Sequence, residues 1–242
     1  MNWDDGDSLF FNPEPTVTTV PLPGGSQVVV IDDVLLDPDG LVDWARGQTF
    51  NPPPGFPYPG VIVGGPKGLS ERFGDHFAQH ARTLLQARRT LAHDIRLSMV
   101  TTPPHQLDPR QWQCHRDRLD ADPGGIYVAS VLYLFRELQL GGTSFYVPRQ
   151  SAAATDRIII DSQMLGPAQF SARYGLTAGY MDGGNPYFDC VARVPPAWNR
   201  MILYDACHFH SGDIGRPDLL TDDPATGRLT LNGFFNCRRQ AR

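Results

Sequence analysis

Residues 126–135, IYVASVLYLF, are apolar at both alternating sets of positions. Their β-branched and aromatic content favours an extended chain, and a strand without a polar face must be covered on both sides. The segment therefore reads as a central strand of a covered sheet, and the rest of the chain must supply the cover. With 41% hydrophobic residues in 242, enough apolar material is present to do so.

The order of local patterns shows where that cover comes from. The opening dozen residues are acidic and then proline-rich, which predicts a surface path. Val28 to Ile31 form a strand, and a helix begins near Asp37-Pro38, where Asp caps and Pro suits the first turn. NPPPGFPYPGVIVGGPKG is an extended segment with turns. From Leu69 to about Ala92, Phe73, Phe77, Ala81, Leu84, Leu85 and Leu91 recur near helical period, predicting an amphipathic helix laid on a sheet. Strands follow in IRLSMVTT and IYVASVLYLF, and LGGTSFYV offers a Gly-Gly turn into a hairpin partner. NRMILYDACHFHSG and GRLTLNGFFNC read as two further strands. Between LGGTSFYV and NRMILYDACHFHSG, residues 148–198 lack periodicity apart from a short helical signal in QFSARYGL, which predicts a lid insertion. Two N-terminal helices followed by antiparallel strands indicate one α+β domain, mainly β, spanning 1–242.

Composition excludes several classes. No apolar run reaches the length of a membrane span, and Met1-Asn2-Trp3-Asp4-Asp5 lacks the positive start of a secretory signal. The expected location is the cytoplasm, where Cys114, Cys190, Cys207 and Cys237, with no CxxC pair, are reduced thiols. A net charge of -5 without a basic cluster gives no footprint for nucleic acid. Small-molecule or peptidyl partners fit better, with no nucleic acid and no membrane, and no motif specifies an oligomeric state.

The chemistry concentrates in QWQCHRDRLD, residues 111–120. On a strand, residues two apart share a face, so His115 and Asp117 would present an imidazole and a carboxylate together. ACHFHSG offers a third ligand in His208 or His210, both in the same phase. Two histidines and a carboxylate on one side of an ion form the facial set of non-haem Fe(II) oxygenases, with positions left open for other ligands. Asp117 also stands between Arg116 and Arg118, so surface ion pairing is the competing reading.

His-x-Asp, then YLFRELQLGGTSFYV, then NRMILYDACHFHSG, then GRLTLNGFF occur in an order that resembles the Fe(II)/2-oxoglutarate-dependent dioxygenase superfamily, particularly its prolyl-4-hydroxylase-like branch. The resemblance covers residues 26–237 in element order. It implies a double-stranded β-helix, a jelly-roll or cupin-like barrel with supporting N-terminal helices. It further implies metal ligands His115, Asp117 and His210, with Arg228 binding the distal carboxylate of 2-oxoglutarate, Fe(II) as the metal, and O2 as oxidant. Thr230, two residues from Arg228 on the same strand face, would add a hydroxyl, and Tyr133 would donate to 2-oxoglutarate or serve as a core tyrosine. The implied reaction is hydroxylation of an unactivated C–H bond, releasing succinate and CO2. Seventeen residues separate His210 from Arg228, more than is usual in that family, and PDLLTDDPATG must loop out for both to reach one pocket. A non-catalytic metal-binding sensor, or a cupin-like metalloenzyme without 2-oxoglutarate, are the alternatives. Cys114 and Cys207 flank proposed ligands without a base to activate them. His76 and His80 lie at i, i+4 without HExxH, which predicts a solvated face.

Overall fold

The computed structural model describes residues 2–117 and 124–240. In chain order its elements are β1 (Thr16–Leu22), β2 (Ser26–Asp32), α1 (Pro38–Arg46), β3 (Gly60–Gly64), α2 (Lys67–His80), β4 (Ala87–Val100) and β5 (Gly125–Tyr133). After these come β6 (Thr143–Pro148), α3 (Ala152–Met164), α4 (Pro167–Tyr174), β7 (Phe188–Val194), β8 (Arg200–Asp205), β9 (Phe209–Gly212) and β10 (Leu229–Arg239). A larger sheet has the order β1-β2-β8-β5-β10-β4-β3, and a smaller one β7-β6-β9. All of these pairings are antiparallel.

From β5 onward the chain crosses to the small sheet for β6 and β7, returns for β8, crosses again for β9, and returns for β10. An isolated antiparallel bridge between His115 and His210 adds a fourth position to the small sheet beside β9. The resulting layers, β8-β5-β10-β4 and β7-β6-β9 with residue 115, form a double-stranded β-helix, a jelly roll. β1, β2 and β3 extend the edges of the large sheet.

The chain thus meets the demand of the apolar central strand on both sides. β5 lies between β8 and β10. Outside the large sheet, Leu41, Val42 and Ala45 of α1 and Leu69, Phe73 and Phe77 of α2 join Val128, Leu132 and Phe235 in one core. Phe77 and Phe73 stack on Phe235 with ring centroids 4.0 and 5.4 Å apart. Inside, Ala129, Tyr133, Ile202 and Tyr204 meet Phe145 of the small sheet. The α1 start is as the local chemistry requires, since the Asp37 carboxylate accepts from the Gly40 N–H at 2.9 Å and Pro38 follows the cap.

Several local expectations are overridden. The helix from Leu69 ends at His80 rather than continuing to Ala92, because Gln86 takes a positive φ of 58° and the next residues pair with β10 as β4. The Gly-Gly segment does not make a hairpin with β5; β6 pairs with β7 and β9 in the other sheet. NRMILYDACHFHSG is two strands, β8 and β9, split by a turn in which His208 N–H donates to the Asp205 carbonyl. Trp3, Phe10 and Phe11 are buried, so the N-terminal segment packs into the core instead of only skirting it. Residues 148–198 hold more structure than their composition suggested: α3 was unforeseen, and β7 belongs to the small sheet.

A candidate metal centre in the barrel

The turn after β8 and the short β9 place His210 inside the barrel, where it is 6% exposed. Backbone bonds in both directions, His115 N–H to His210 O at 3.0 Å and His210 N–H to His115 O at 2.9 Å, hold the two histidines in register. Residues 115–117 are not a regular strand, contrary to expectation; beyond the single bridge the chain bends, and Asp117 N–H donates to the Ala206 carbonyl. The bend still converges the side chains. His115 Nε2 lies 3.5 Å from Asp117 Oδ1, and His210 Nε2 lies 3.5 Å from Asp117 Oδ2. One ligand atom from each of the three falls within 4.8 Å of the others.

His208 and His210 part company. The turn directs His208 Nε2 to Ser26 Oγ at 2.7 Å, away from the cluster. His210 Nδ1 meets the His208 carbonyl at 2.9 Å, an acceptor that requires the proton on Nδ1 and leaves the Nε2 lone pair facing Asp117. Burial pushes the Asp117 carboxyl up, but His210 and His115 outweigh it and bring it down to about 2. Burial lowers His210 to about 4 despite the attraction of Asp117. At neutral pH the pair is a carboxylate beside an imidazole with an available lone pair. That donor set fits a divalent transition metal bound facially. Asp117 ion pairing with Arg118 concerns a residue outside those described, while Arg116 lies over the Phe209 ring at 4.5 Å and 3.6 Å from Asp156.

The cluster opens on a cavity of about 440 Å³ between the sheets, a volume typical of small-ligand sites. Arg228, Thr230, Asn232 and Phe234 line it from β10 and the residue before it, while Leu229, Leu231 and Phe235 point to the outer core, so the alternation foreseen for this strand is present. Arg228 is only 5% exposed. Its Nε donates to Leu140 O at 2.9 Å and to Gly141 O at 3.2 Å, and its Nη2 donates to Gly142 O at 2.8 Å. The Gly-Gly pair makes this clamp possible. Gly141 has φ 80°, and a Cβ there would sit 1.7 Å from the Asp213 carbonyl oxygen.

Thr230 Oγ1 donates to Ser98 O at a long 3.4 Å and accepts from Asn232 Nδ2 at 3.3 Å. Tyr133 is fully buried in the barrel core, its hydroxyl 2.9 Å from Thr143 Oγ1. Thr143 lines the cavity, so Tyr133 communicates with it through that hydroxyl. Sequence reasoning missed Tyr58 and Arg96. Tyr58 comes from the proline-rich segment, which carries no periodic signal. Arg96 had a usable one, the alternation of Arg96 and Ser98 with Ile95, Leu97 and Met99. His76 was also misjudged: it is 5% exposed, stacked on Phe11 at 4.4 Å, and plays no part in the cavity.

Part of the 148–198 segment lies over the same space. Ile159, Ser162 and Gln163 of α3, with Tyr180 and Met181, complete the cavity wall, and Ile158 and Phe170 pack with Leu107 and Trp112 to hold the helices there.

Comparisons with known structures return distant likenesses. HygX from Streptomyces hygroscopicus with iron bound is 14% identical, with 88% of this chain and 82% of that chain covered and a TM-score of 0.46. A Pseudomonas putida prolyl-4-hydroxylase is 15% identical over 85% of this chain and 89% of that one, with a TM-score of 0.38. EvdO2 from Micromonospora carbonacea var. aurantiaca complexed with 2-oxoglutarate is 15% identical over 93% and 94%, with a TM-score of 0.43. No curated protein matches the chain. A family model does match, over residues 13–235, and by that match the chain belongs to DUF6445, a family of unknown function.

Proposed function

We propose that this protein is an Fe(II)- and 2-oxoglutarate-dependent oxygenase that hydroxylates an unactivated C–H bond of a small-molecule or peptidyl substrate. One observation carries the reading: His115, Asp117 and His210 converge at a cavity whose wall also holds the buried guanidinium of Arg228. His115, Asp117 and His210 would hold the iron. Iron with 2-oxoglutarate and O2 supplies the oxidising chemistry when bound, releasing succinate and CO2.

The chain's own residues do the rest. The His208 carbonyl keeps the His210 proton on Nδ1, so that Nε2 is a ready donor. Arg228, oriented by three carbonyls, would present its remaining edge to the distal carboxylate of 2-oxoglutarate, with Thr230 and the Tyr133–Thr143 hydroxyl pair alongside. Residues 148–198 are the candidate lid, α3 being the part that limits entry of bulk water. The cytoplasm is the fitting compartment for a reduced iron site; no helix of the described residues is long and apolar enough to cross a membrane.

A second reading has one observation in its favour. Because Arg228 Nε and Nη2 are already engaged by backbone carbonyls, the arginine could be structural, in a metalloenzyme that uses no 2-oxoglutarate. Anaerobic Fe(II) titration with and without 2-oxoglutarate separates the two. A visible charge-transfer band that needs both components and vanishes in His210→Ala supports the oxygenase. Tight iron binding with no band at any 2-oxoglutarate concentration supports the second reading.

A further inference from the structure

On the inner face of the large sheet, the β4–β10 register sets Arg96 opposite Asn232. Asn232 is four residues along β10 from Arg228, so the two arginines stand about 13 Å apart along the strand direction. The Arg96 guanidinium carbon lies 4.7 Å from the ring centroid of Phe56 and 4.7 Å from that of Phe234. Aromatic rings attract the cation but accept no in-plane hydrogen bond, so the donor edge of the guanidinium still needs a partner. Nε is buried and has none, and among the described residues no carboxylate forms an ion pair with this side chain.

The charges around the cavity sharpen the point. Arg110 is committed to Asp108 at 2.7 Å, and Arg116 lies 3.6 Å from Asp156. On the proposed function, the two charges of the iron and the one of Arg228 are matched by Asp117 and the two carboxylates of 2-oxoglutarate. Asp117 feels Arg96 more weakly than either histidine. Arg96 is then the cavity cation without an anionic counterpart, and leaving its buried Nε unpaired is costly unless one arrives. Phe56 is 37% exposed, which places this end of the cavity at its mouth.

We infer that Arg96 is the docking group for an acidic function of the primary substrate. The substrate class is an organic oxyanion, a carboxylate or phosphate ester, whose acidic head binds at Arg96 beside Phe56 and Phe234. The rest of the molecule extends inward toward His115, Asp117 and His210. This inference rests on the oxygenase reading for its charge count.

The test uses the full chain, loaded anaerobically with Fe(II) and saturating 2-oxoglutarate, and three fluorinated probes: 4-fluorobenzoate, 4-fluorobenzamide and 4-fluorophenyl phosphate. The ¹⁹F line broadening caused by nearby paramagnetic iron reads binding inside the cavity. The chelate band is recorded first; its absence in the unsubstituted protein sinks the oxygenase reading, and this inference with it. With the band present, an anionic probe should bind at least about tenfold more tightly than the amide. Arg96→Gln should abolish that preference while the chelate band persists. The tighter of the two anions identifies the head group as carboxylate or phosphate. Equal binding of all three probes, binding of none, or a preference that survives Arg96→Gln overturns the inference. Loss of the chelate band in Arg96→Gln overturns it as well, by assigning Arg96 to the cosubstrate.

Discussion

Replacing Arg228 with lysine keeps the charge and discards the fork, and its cost follows from what the guanidinium touches. Three carbonyl contacts, at Leu140, Gly141 and Gly142, depend on two of its nitrogens. An ammonium on a flexible stem replaces one of them at best. Two lost hydrogen bonds at about 0.5–1.5 kcal/mol each amount to roughly 1–3 kcal/mol of stability. For a chain of this length a loss of that size lowers Tm by about 2–4 °C per kcal/mol. The second effect is on ligand binding. A charge-assisted bond to a carboxylate contributes about 1.5–3 kcal/mol, so 2-oxoglutarate affinity should fall roughly 10- to 150-fold. Differential scanning calorimetry of the apo protein reads the first effect, and titration of the anaerobic chelate band reads the second. An unchanged Tm would refute the carbonyl clamp. A 2-oxoglutarate affinity within about twofold of the parent would refute the anchoring role even if the Tm falls.

The remaining expectations are separate from that one. His210→Ala should weaken Fe(II) binding by more than the roughly 10- to 100-fold that loss of an outer hydrogen-bond partner costs, whereas His208→Ala, which removes a ring bound to Ser26, should leave it nearly unchanged; calorimetric iron titration distinguishes them. Gly233→Ala should destabilise the fold by about 1–3 kcal/mol in urea unfolding, because the new Cβ would meet Phe73 Cε1 at 2.4 Å and Ser130 Oγ at 2.6 Å; an unaltered midpoint contradicts this. His76 is lowered from 6.5 to about 3, first by burial and then by His80, so the folded state binds its proton less well than the unfolded chain. Its contribution is complete above pH 6.5 and is lost as pH falls toward 3, the loss amounting to roughly 2 kcal/mol by pH 5. His76→Phe should therefore flatten the stability profile between pH 7.5 and 5 relative to the parent, and parallel profiles would count against the assignment.

Much of the architecture is a local property of the chain. The Asp37-Pro38 start of α1, the two apolar faces of β5, and the polar and apolar faces of β10 all follow from residues adjacent in sequence, and each forms as its pattern requires. The candidate ligands were nameable for the same reason: His115 and Asp117 are two apart, and His210 lies in a short segment with few other donors. Where the local signal was ambiguous, long-range pairing decided. Helical spacing through Leu91 gave way to β4 because the edge of β10 offers eleven residues of ladder, more than a helical continuation could gain. β7 carried too little pattern to stand out, since its partner strand β6 is what makes it a strand.

What the sequence determined by itself is the inventory: which segments extend or coil, and which side chains are able to ligate a metal or hold a carboxylate. Only the tertiary structure chose among them. It turned His208 to Ser26 and His210 into the barrel, put Tyr133 behind Thr143, and buried His76 against Phe11. It also brought Arg96, Phe56 and Phe234 together from β4, β10 and the loop before β3. Those outcomes depend on contacts between residues from ten to well over a hundred positions apart. Their geometry is set by sheet register and closure of the two layers, and neither is encoded in the spacing of neighbours.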